Sequence, residues 1–343
     1  MAKVVIAGVD TPLGSRVARL AAAGPGVEVV GLADGPGVDL PDAVAVHRLD
    51  LENDDVKPHL EHAATLVHVA QSVPETPTAG TRDVTVARRL LDAAGDTGVE
   101  HLVVVSSATV YGAWANNAVP LTEDAALRPN PGFAFAAERA EIERLTAEWR
   151  EAHPGTTAAV LRPARVAAPD HRDWLVRRLR PAPAVPEHAD EPPVQFLDLD
   201  DLAAACELAR TRRLDGAFNV APEGSIPGDQ VRSLIGAPPR VPLPERAANR
   251  LVRWGFRWGL GATPPELVPY TLHPWVVAGD RLRAQGWTPR VSNEEACVEA
   301  HDVGAWATMS PRRRQEVALT AAGVGAVGVI VGAVLGVRRW LRR

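Results

Sequence analysis

The chain has 343 residues, of which 46% are hydrophobic and 23% are charged. These proportions are ordinary for a folded globular protein, and the length is enough for about two structural units with a large core. The composition excludes a largely disordered chain. Two cysteines, Cys206 and Cys297, exclude a disulfide-stapled scaffold and fit a reducing compartment. The net charge of −5 argues against nucleic acid as the main partner.

Two residue types are scarce in a way that limits the chemistry. Lys3 and Lys57 are the only lysines, and Tyr111 and Tyr270 are the only tyrosines. No tyrosine lies within a few residues of a lysine. Any mechanism that needs such a pair on one helix is therefore excluded before a motif is considered.

Short apolar runs alternate with helical stretches through the first half of the chain. Runs that are apolar throughout are typical of strands buried on both faces, as in a parallel sheet covered by helices. The alternation predicts a doubly wound α/β fold. The predicted strands are Lys3–Ala7, Val27–Leu32, Ala43–His47, Thr65–Val69, Leu102–Ser106 and Ala158–Leu161, and the predicted helices are Leu13–Ala23, Val84–Ala94 and Ala134–Glu151.

Beyond residue 163 the elements become shorter and the sequence becomes rich in Pro, Trp and Arg. Five prolines in the segment 181–193 predict a loop. A helix is predicted over Asp198–Arg210 and a short strand over Ala217–Val220. Residues 225–300 are interpreted as a smaller α+β cap that is partly interleaved with the first unit.

An arginine stripe lies inside this predicted cap. In a helix its four arginines would share one face, beside a face with two tryptophans. Such a helix could dock on lipid headgroups, but packing of its tryptophans on the domain is the favoured interpretation. The stripe consists of Arg246, Arg250, Arg253 and Arg257, and the neighbouring face of Leu251, Trp254 and Trp258.

The C-terminal tail differs from the rest of the chain. Residues 317–337 contain no charge over 21 positions, and as a helix they would span about 31 Å, close to a bilayer core. Gly328, Gly332 and Gly336 would line one face and allow close helix contacts in lipid. The tail predicts a transmembrane or membrane-associated helix. A shallow interfacial helix and a buried or disordered C-terminus are the alternatives.

The charge distribution supports two environments for the chain. Seven Arg and one Glu give residues 311–343 a charge of +6, which leaves −11 for the other 310 residues of a chain with net charge −5. The N-terminus turns after one short apolar run and does not resemble a signal peptide. We therefore expect a cytoplasmic, acidic body that is anchored to the cell membrane by a basic tail.

The loop between the first predicted strand and helix contains Gly8, Thr11 and Gly14. Gly8 can supply a tight turn and Gly14 close packing, so that the helix N-terminus faces a pyrophosphate. The middle glycine of the G-x-x-G-x-x-G pattern is Thr11, and a side chain there could weaken phosphate binding. The alternative is a structural turn.

Acidic residues follow the next two predicted strands. Asp34, after the second strand, can accept hydrogen bonds from the adenosine ribose hydroxyls, which favours NAD over NADP. The alternative is an ordinary turn Asp beside Gly35. Asp50 and Leu51, after the third strand, could contact the adenine. Together with the glycine loop, these residues predict a dinucleotide site.

The most specific stretch of the chain, Val103–Gly112, reads VVVSSATVYG. It resembles the strand-end segment V-x-S-S-x-x-V-Y-G of the NAD-dependent epimerase/dehydratase family, an extended branch of the short-chain dehydrogenases/reductases. The resemblance covers about residues 3–300. Further segments in family order are Val67–Ala70, whose motif lies under the nicotinamide half in the family, Gly98–His101, Pro120–Glu123, Leu161–Pro163, Asp198–Ala203 and Gly286–Pro289.

The resemblance implies a domain organisation. A Rossmann domain is expected at the N-terminus, followed by a substrate cap, a basic linker and the apolar helix of the tail. The expected ranges are 1–163 for the Rossmann domain, with 194–222 returning to it, 164–193 and 223–305 for the cap, 306–316 for the linker and 317–337 for the helix.

The family's chemistry depends on a Ser and a Y-x-x-x-K pair, and only the Ser matches here. Ser107 aligns with the Ser, whereas Phe135 falls at the Tyr position and Arg139 at the Lys position. Phe135 cannot act as an acid or base. Arg139 keeps its charge and could still bind the nicotinamide ribose, but it cannot relay a proton at neutral pH. Tyr111 is expected to pack behind the strand end.

Two further carboxylates lie on the same predicted helix. Glu138 and Glu141 are interpreted as solvated residues rather than as replacement bases. Two hypotheses follow. The first is an NAD-binding protein with impaired or atypical catalysis, tethered to a membrane. The second is an active nucleotide-sugar epimerase/dehydratase or oxidoreductase that uses a non-standard base. A nucleotide-sugar-like ligand and a homodimer are implied by the resemblance, and no metal site is predicted.

Overall fold

The computed structural model describes residues 1–35, 39–69, 76, 78–168, 171–172, 174–179, 184–186, 191–236, 241–243, 250, 264–301, 310 and 313. Ala70, most of the arginine stripe and the apolar run 317–337 lie outside these residues.

The strands and helices of the described residues follow one another along the chain in the α/β alternation that the sequence predicts. The strands are β1 (Ala2–Ala7), β2 (Val27–Ala33), β3 (Val44–Arg48), β4 (Ala63–His68), β5 (His101–Val105), β6 (Thr157–Pro163), β7 (Arg165–Ala168), β8 (His171–Arg172), β9 (Ala184–Pro186), β10 (Phe196–Asp198), β11 (Gly216–Val220) and β12 (Val241–Leu243). The helices are α1 (Pro12–Ala22), α2 (Lys57–Leu60), α3 (Asp83–Thr97), α4 (Ala134–Ala152), α5 (Trp174–Arg178), α6 (Leu199–Arg212), α7 (Gly228–Leu234), α8 (Pro269–Leu272), α9 (Asp280–Ala284) and α10 (Asn293–Ala300), with 3₁₀ turns at Ala108–Tyr111 and Pro265–Leu267.

Among the described residues, seven strands form one parallel sheet in the order β11-β6-β5-β4-β1-β2-β3. Helices α1 and α6 pack on one face, and α2, α3 and α4 pack on the other. The central strands are buried on both faces, as their continuous apolar runs predict. The direction of winding reverses between β1 and β4. That reversal opens a crevice at the carboxyl ends of the strands, where ligands of such sheets bind.

Two small sheets extend the chain beyond the carboxyl end of β6. β10 pairs in parallel with β7, which also pairs antiparallel with β8, and β12 pairs in parallel with β9. A separate apolar cluster joins β7 and β10 to α7 and α10. β7 begins two residues after β6 ends, so this second unit lies directly beside the crevice.

The predicted doubly wound parallel sheet is confirmed, and its element boundaries lie within a few residues of the expectations. α3 continues three residues beyond the predicted Ala94 and ends at Gly98, whose φ of 74° is left-handed. The predicted proline loop 181–193 differs from the expectation, because Ala184–Pro186 forms β9 by pairing with β12.

The predicted membrane helix of the tail lies outside the described residues. No helix among the described residues is long and apolar enough to cross a membrane. The run 317–337 falls outside them, so its membrane role stays a prediction.

Candidate functional site

The glycine loop after β1 is shaped by two close backbone approaches. Gly8 has a φ of 90°, which favours glycine, and its N–H donates to Leu32 O at 2.9 Å. A Cβ at Gly14 would lie 2.1 Å from Gly8 O, so no larger residue fits there without moving the backbone. The loop therefore requires both glycines, as the sequence predicts for a turn that leads into a helix N-terminus at the crevice.

Thr11 closes this loop from the inside. Its Oγ1 donates to Gly8 O at 2.7 Å and accepts from Gly14 N–H at 3.0 Å, which makes Thr11 the N-cap of α1. Pro12 follows in the first turn, where a missing N–H costs nothing. The Thr11 side chain, which was expected to weaken phosphate binding, instead forms hydrogen bonds with the backbone of its own loop.

Asp10 belongs to this loop, and its side chain connects the loop to the residues that follow β2. Its Oδ2 accepts from Gly35 N–H at 2.6 Å. Its Oδ1 is buried and has no partner among the described residues. A buried acceptor without a donor is costly, so this oxygen indicates a place where a ligand hydroxyl or a water would bind.

Asp34 follows β2 directly, at the expected position, and its carboxylate is engaged in an ion pair. Arg82, just before α3, forms an ion pair with Asp34 Oδ2, and its Nη1 lies 3.5 Å from Asp50 Oδ1. Burial raises the pKa of Asp34, and the Arg82 charge opposes that shift. One arginine thus links the two acidic positions predicted to hold the adenosine.

Asp50 and Leu51 have different surroundings although they are adjacent. The Asp50 carboxylate accepts from Asn53 Nδ2 at 2.7 Å and Glu52 N–H at 2.9 Å, and these bonds lower its pKa. Leu51 is buried in the core between the sheet and α3. Of these two residues, only Asp50 has a polar side chain at the sheet edge, whereas the Leu51 side chain belongs to the core.

Ser107 lies where β5 ends, at the start of the 3₁₀ turn. Its Oγ accepts from Thr109 N–H at 3.2 Å and from the Thr109 hydroxyl at 3.0 Å. The side chain is buried, and its own O–H has no acceptor among the described residues. The Ser107 proton is therefore available to a ligand oxygen in the crevice.

Phe135, at the position of the family Tyr, packs in an aromatic cluster that closes this side of the crevice. Its ring centroid lies 5.2 Å from that of Trp174 and 5.8 Å from that of Phe133. Phe133 packs against Tyr270 at 5.2 Å, and Tyr270 O–H donates to Thr109 O at 2.9 Å. The cluster joins α4, α5 and α8 directly beside the Ser107 turn.

Arg139 is buried one helical turn beyond Phe135. Its guanidinium pairs with Asp83 at the start of α3, and its Cζ lies 5.1 Å from the Phe135 ring centroid. Both side chains of the ion pair are at least 96% buried. The nicotinamide-ribose role of Arg139 stays a prediction, and the observed partner of its charge is Asp83.

His68, the last residue of β4, lies within electrostatic reach of the Asp83–Arg139 pair. Both of its ring nitrogens are buried without a hydrogen-bond partner among the described residues. Burial, together with the Arg139 charge, lowers the pKa of His68 to about 4. The imidazole is therefore neutral at physiological pH.

Tyr111 is held in a buried polar network behind the strand end. Its hydroxyl donates to Asn219 Oδ1 at 2.8 Å and accepts from Arg162 Nη1 at 2.7 Å. Arg162 also pairs with Glu143, whose Oε1 accepts from the Ser106 hydroxyl at 2.5 Å. Burial raises the pKa of Tyr111. The phenol is therefore buried in this network, which fits the prediction that Tyr111 packs behind the strand end.

Glu138 and Glu141 on α4 were both expected to be solvated, and the structure differs from this expectation at Glu138. Glu141 pairs with Arg144 on the exposed face of α4. Glu138 is not a freely solvated residue, because its carboxylate accepts from Thr81 N–H at 2.5 Å and from the Thr81 hydroxyl at 2.9 Å. Glu138 thereby anchors the loop that leads into α3. Thr81 lies 57 positions earlier in the chain, so folding is needed to bring its two donors to this carboxylate.

The sequence profile of the NAD-dependent epimerase/dehydratase family matches residues 4–221. The chain belongs to this family. No curated protein sequence gives a match to the chain.

Several solved epimerases share the fold of this family member. A Thermus thermophilus UDP-glucose 4-epimerase in complex with NAD is 22% identical, with a TM-score of 0.62, over 88% of this chain and 99% of that chain. A UDP-galactose 4-epimerase is 19% identical, with a TM-score of 0.61, over 87% and 97%. A tyrosine-to-phenylalanine mutant of Bacillus cereus UDP-glucuronic acid 4-epimerase, solved with a fluorinated UDP-sugar and NAD, is 16% identical, with a TM-score of 0.63, over 88% and 98%.

The sequence predicts the loop and strand-end residues as site residues, but it does not predict their partners. Arg82, Asp83 and Trp174 were not singled out, although each contacts a predicted site residue. One signal was available: an arginine in a buried lysine position requires a nearby acid. No local pattern identifies that acid as Asp83, 56 residues away.

Proposed function

We propose that this protein binds NAD and has impaired epimerase/dehydratase chemistry. The main support is that Phe135 and Arg139, both buried, stand where the family has its reactive Tyr and Lys. Phe135 is packed among aromatic rings, and Arg139 is paired with Asp83. Neither residue can remove a proton from a substrate hydroxyl.

The residues at the β1–β3 edge fit a dinucleotide. Gly8 and Gly14 allow close backbone approach, and the N-terminus of the 11-residue helix α1 favours a pyrophosphate. The unpartnered Asp10 Oδ1 and the Asp34 carboxylate can accept bonds from ribose hydroxyls. NAD, when bound, supplies hydride exchange with an alcohol or ketone. NAD is favoured over NADP because two carboxylates, Asp34 and Asp50, contact the single arginine Arg82 at this edge.

Binding without chemistry has support among the structural neighbours. The phenylalanine mutant of the Bacillus cereus enzyme was solved with both NAD and a UDP-sugar analogue. A phenylalanine in place of a tyrosine is therefore compatible with both ligands in that protein. We extend this to a nucleotide-sugar-like ligand for the present chain.

Calorimetry of the full chain in detergent, titrated with NAD and with NADP, tests the cofactor part. We expect NAD to bind at least about tenfold more tightly, since a 2′-phosphate would meet like charge. Asp34→Asn should weaken NAD binding, and Asp42→Asn, which changes an exposed acid just before the amino end of β3, should not. Failure of wild type to bind NAD would contradict the proposal.

The catalytic part is tested by turnover of UDP-glucose with NAD. Loss of a general base lowers rates by about 10²–10⁴-fold, so we expect turnover far below the usual value of roughly 10 s⁻¹ for enzymes. Turnover at ordinary enzyme rates would contradict impaired catalysis.

An active enzyme with a non-standard base is the second candidate. It is favoured by one observation, the free O–H of Ser107 at the strand end. In that case Ser107→Ala should abolish measurable turnover, and Thr109→Ser, which keeps the bonds to Ser107, should retain it. Equal residual rates in wild type and Ser107→Ala would exclude this candidate.

We also propose that the apolar run 317–337 tethers a cytoplasmic body to a membrane. The support is its length of 21 residues without charge, flanked by arginines. Val327→Asp with Val331→Asp should move the full chain from the membrane to the soluble fraction after carbonate extraction, because charges at the centre of a span are costly. Thr320→Ser is the matched control. Unchanged fractionation of the double variant would contradict the tether.

A further inference from the structure

The glycine loop contributes a carboxylate of its own to the acidic edge, and this carboxylate has no cation beside it. Asp10 Oδ2 accepts from Gly35 N–H at 2.6 Å. Its Oδ1 is sealed from solvent and has no hydrogen-bond partner among the described residues. No Lys, Arg or His in the described part of the chain forms an ion pair with Asp10. The negative charge of Asp10 is therefore uncompensated.

The other two carboxylates at this edge share the charge of Arg82. Asp34 forms an ion pair with Arg82, and Asp50 Oδ1 lies 3.5 Å from Arg82 Nη1. The Asp50 side chain is 44% exposed, so water screens the charge that Arg82 leaves uncompensated. Asp10 has neither a cation nor water at its inner oxygen, and a charge in such surroundings acts more strongly on its neighbours.

Backbone geometry holds Asp10 close to the end of β2. The hydrogen bond from Gly35 ties the Asp10 carboxylate to the residue that directly follows Asp34. A Cβ at Gly35 would lie 2.7 Å from Asp10 Oδ2, so only glycine allows this approach without a shift. Burial is the main cause of the raised pKa of Asp34, and the Asp10 charge contributes to it. The Asp10 charge therefore acts where the adenosine ribose is proposed to bind.

The two nicotinamide cofactors differ at one group, a phosphate on the 2′-oxygen of the adenosine ribose. Because Asp34 is proposed to hold this ribose, the extra phosphate of NADP would enter the field of Asp10. A phosphate monoester carries about −1.5 to −2 charges at neutral pH, and like charges repel strongly where water is excluded. The 2′-hydroxyl of NAD carries no charge and is not repelled.

We propose that Asp10 is the specificity-determining residue that excludes NADP, and that the glycine loop rather than the end of β2 makes this choice. The inference deepens the proposed function and rests on it for the position of the adenosine. Asp34 then serves mainly as an acceptor for the ribose, because Arg82 offsets its charge. Asp10 acts through its charge and need not touch the cofactor.

Calorimetry of the full chain in detergent, with NAD and NADP as the probes, tests this assignment. Asp10→Asn removes the charge and keeps an oxygen that can accept from Gly35 N–H. We expect the ratio of the NADP Kd to the NAD Kd to fall at least about tenfold in this variant, chiefly through tighter NADP binding. Asp42→Asn, which neutralises an exposed acid, is the matched control and should leave the ratio within about threefold of wild type.

Two further measurements separate the effect of charge from that of folding. The Tm of Asp10→Asn should equal or exceed that of wild type, because a buried amide costs less than a buried charge without a partner. Asp10→Ala removes the charge together with the bond from Gly35, so its Tm should fall. Its ratio of Kd values should nevertheless shift in the same direction as in Asp10→Asn.

Three results would overturn the assignment. They are a ratio in Asp10→Asn within about threefold of wild type, a shift in Asp10→Ala without one in Asp10→Asn, and a wild type that binds NADP as tightly as NAD. A wild type that fails to bind NAD contradicts the proposed function, and AMP and adenosine 2′,5′-bisphosphate then become the probes. A preference for AMP that Asp10→Asn removes leaves this inference standing, whereas the absence of any preference in wild type overturns it as well.

Discussion

The two halves of one sheet edge have opposite chemistry. After β1, β2 and β3 the edge is open and charged, with Asp34 and Asp50 linked by a partly exposed Arg82. After β4, β5 and β6 it is closed by aromatic rings, and its Asp83–Arg139 pair is buried. The chain thus keeps the glycine loop and the acidic strand ends of the first half, whereas Phe135 and Arg139 stand at the positions of the family's Tyr and Lys beside the second half.

The comparison separates the residues proposed to bind the nucleotide, at the ends of β1, β2 and β3, from the positions of the family's reactive pair, which lie on α4. The first edge depends on backbone shape and on a few acceptors at strand ends. The second depends on the identity of two side chains on α4. Substitutions at the second edge therefore need not disturb the first, and the following experiments test how independent the two edges are.

The largest effect should come from restoring the reactive pair. Phe135→Tyr with Arg139→Lys supplies an acid–base group and a lysine to lower its pKa. We expect the rate with UDP-glucose and NAD to rise by about 10²–10⁴-fold, measured as formation of the 4-epimer or of NADH. Phe133→Tyr is the control on the same aromatic cluster. No gain in the double variant, with NAD binding intact, would show that the closed cluster blocks the substrate as well.

The next largest effect, on stability, should come from leaving the buried Arg139 charge without its carboxylate partner. Asp83→Ala leaves Arg139 without its acid, which should lower the free energy of unfolding by about 3–5 kcal/mol. Denaturant titration measures this loss. Asp83→Leu with Arg139→Met removes both charges and should recover most of the stability. An Asp83→Ala variant as stable as wild type would show that the pair does not organise this edge.

His68 should make this second edge sensitive to acid. The folded chain keeps His68 neutral down to a pKa of about 4, whereas the unfolded chain binds a proton near pH 6.5. Stability should therefore fall as the pH drops from 6.5 towards 4. His68→Leu should flatten the curve of Tm against pH in part, because His101 has a similarly lowered pKa of about 4. An unchanged slope would contradict the prediction.

The smallest effect should be at the open edge. Arg82→Ala removes the cation that opposes the raised pKa of Asp34. NAD binding at this edge requires the ionised Asp34 carboxylate. As the pH falls, the variant should therefore lose its NAD affinity at a higher pH than wild type does. Near neutral pH we expect a loss of roughly tenfold or less. Calorimetric Kd values between pH 4 and pH 8 measure the shift, with Arg82→Lys as the charge-retaining control.

The sequence predicted the sheet because buried parallel strands leave a local signature. β1 and β5 are continuous apolar runs, and Gly8 and Gly14 mark a turn whose geometry depends only on adjacent residues. Ser107 was found because its strand-end segment is specific. Such features are local, and a linear pattern records them.

The partners of these residues could not be predicted in the same way. Arg82 meets Asp34 across 48 positions, and Tyr270 meets Thr109 across 161. Contacts of this kind depend on how α3 and α8 dock, which no periodicity specifies. The aromatic cluster around Phe135 forms only when those elements are in place.

The threonine in the glycine loop has a kinetic consequence. Because Thr11 bonds to Gly8 and Gly14 at the two ends of the loop, the folded chain itself fixes the shape of the loop. Little conformational entropy is then lost on association, and no slow closure step precedes it. Nucleotide capture at this edge should be a single-step encounter whose rate follows ligand concentration without saturation.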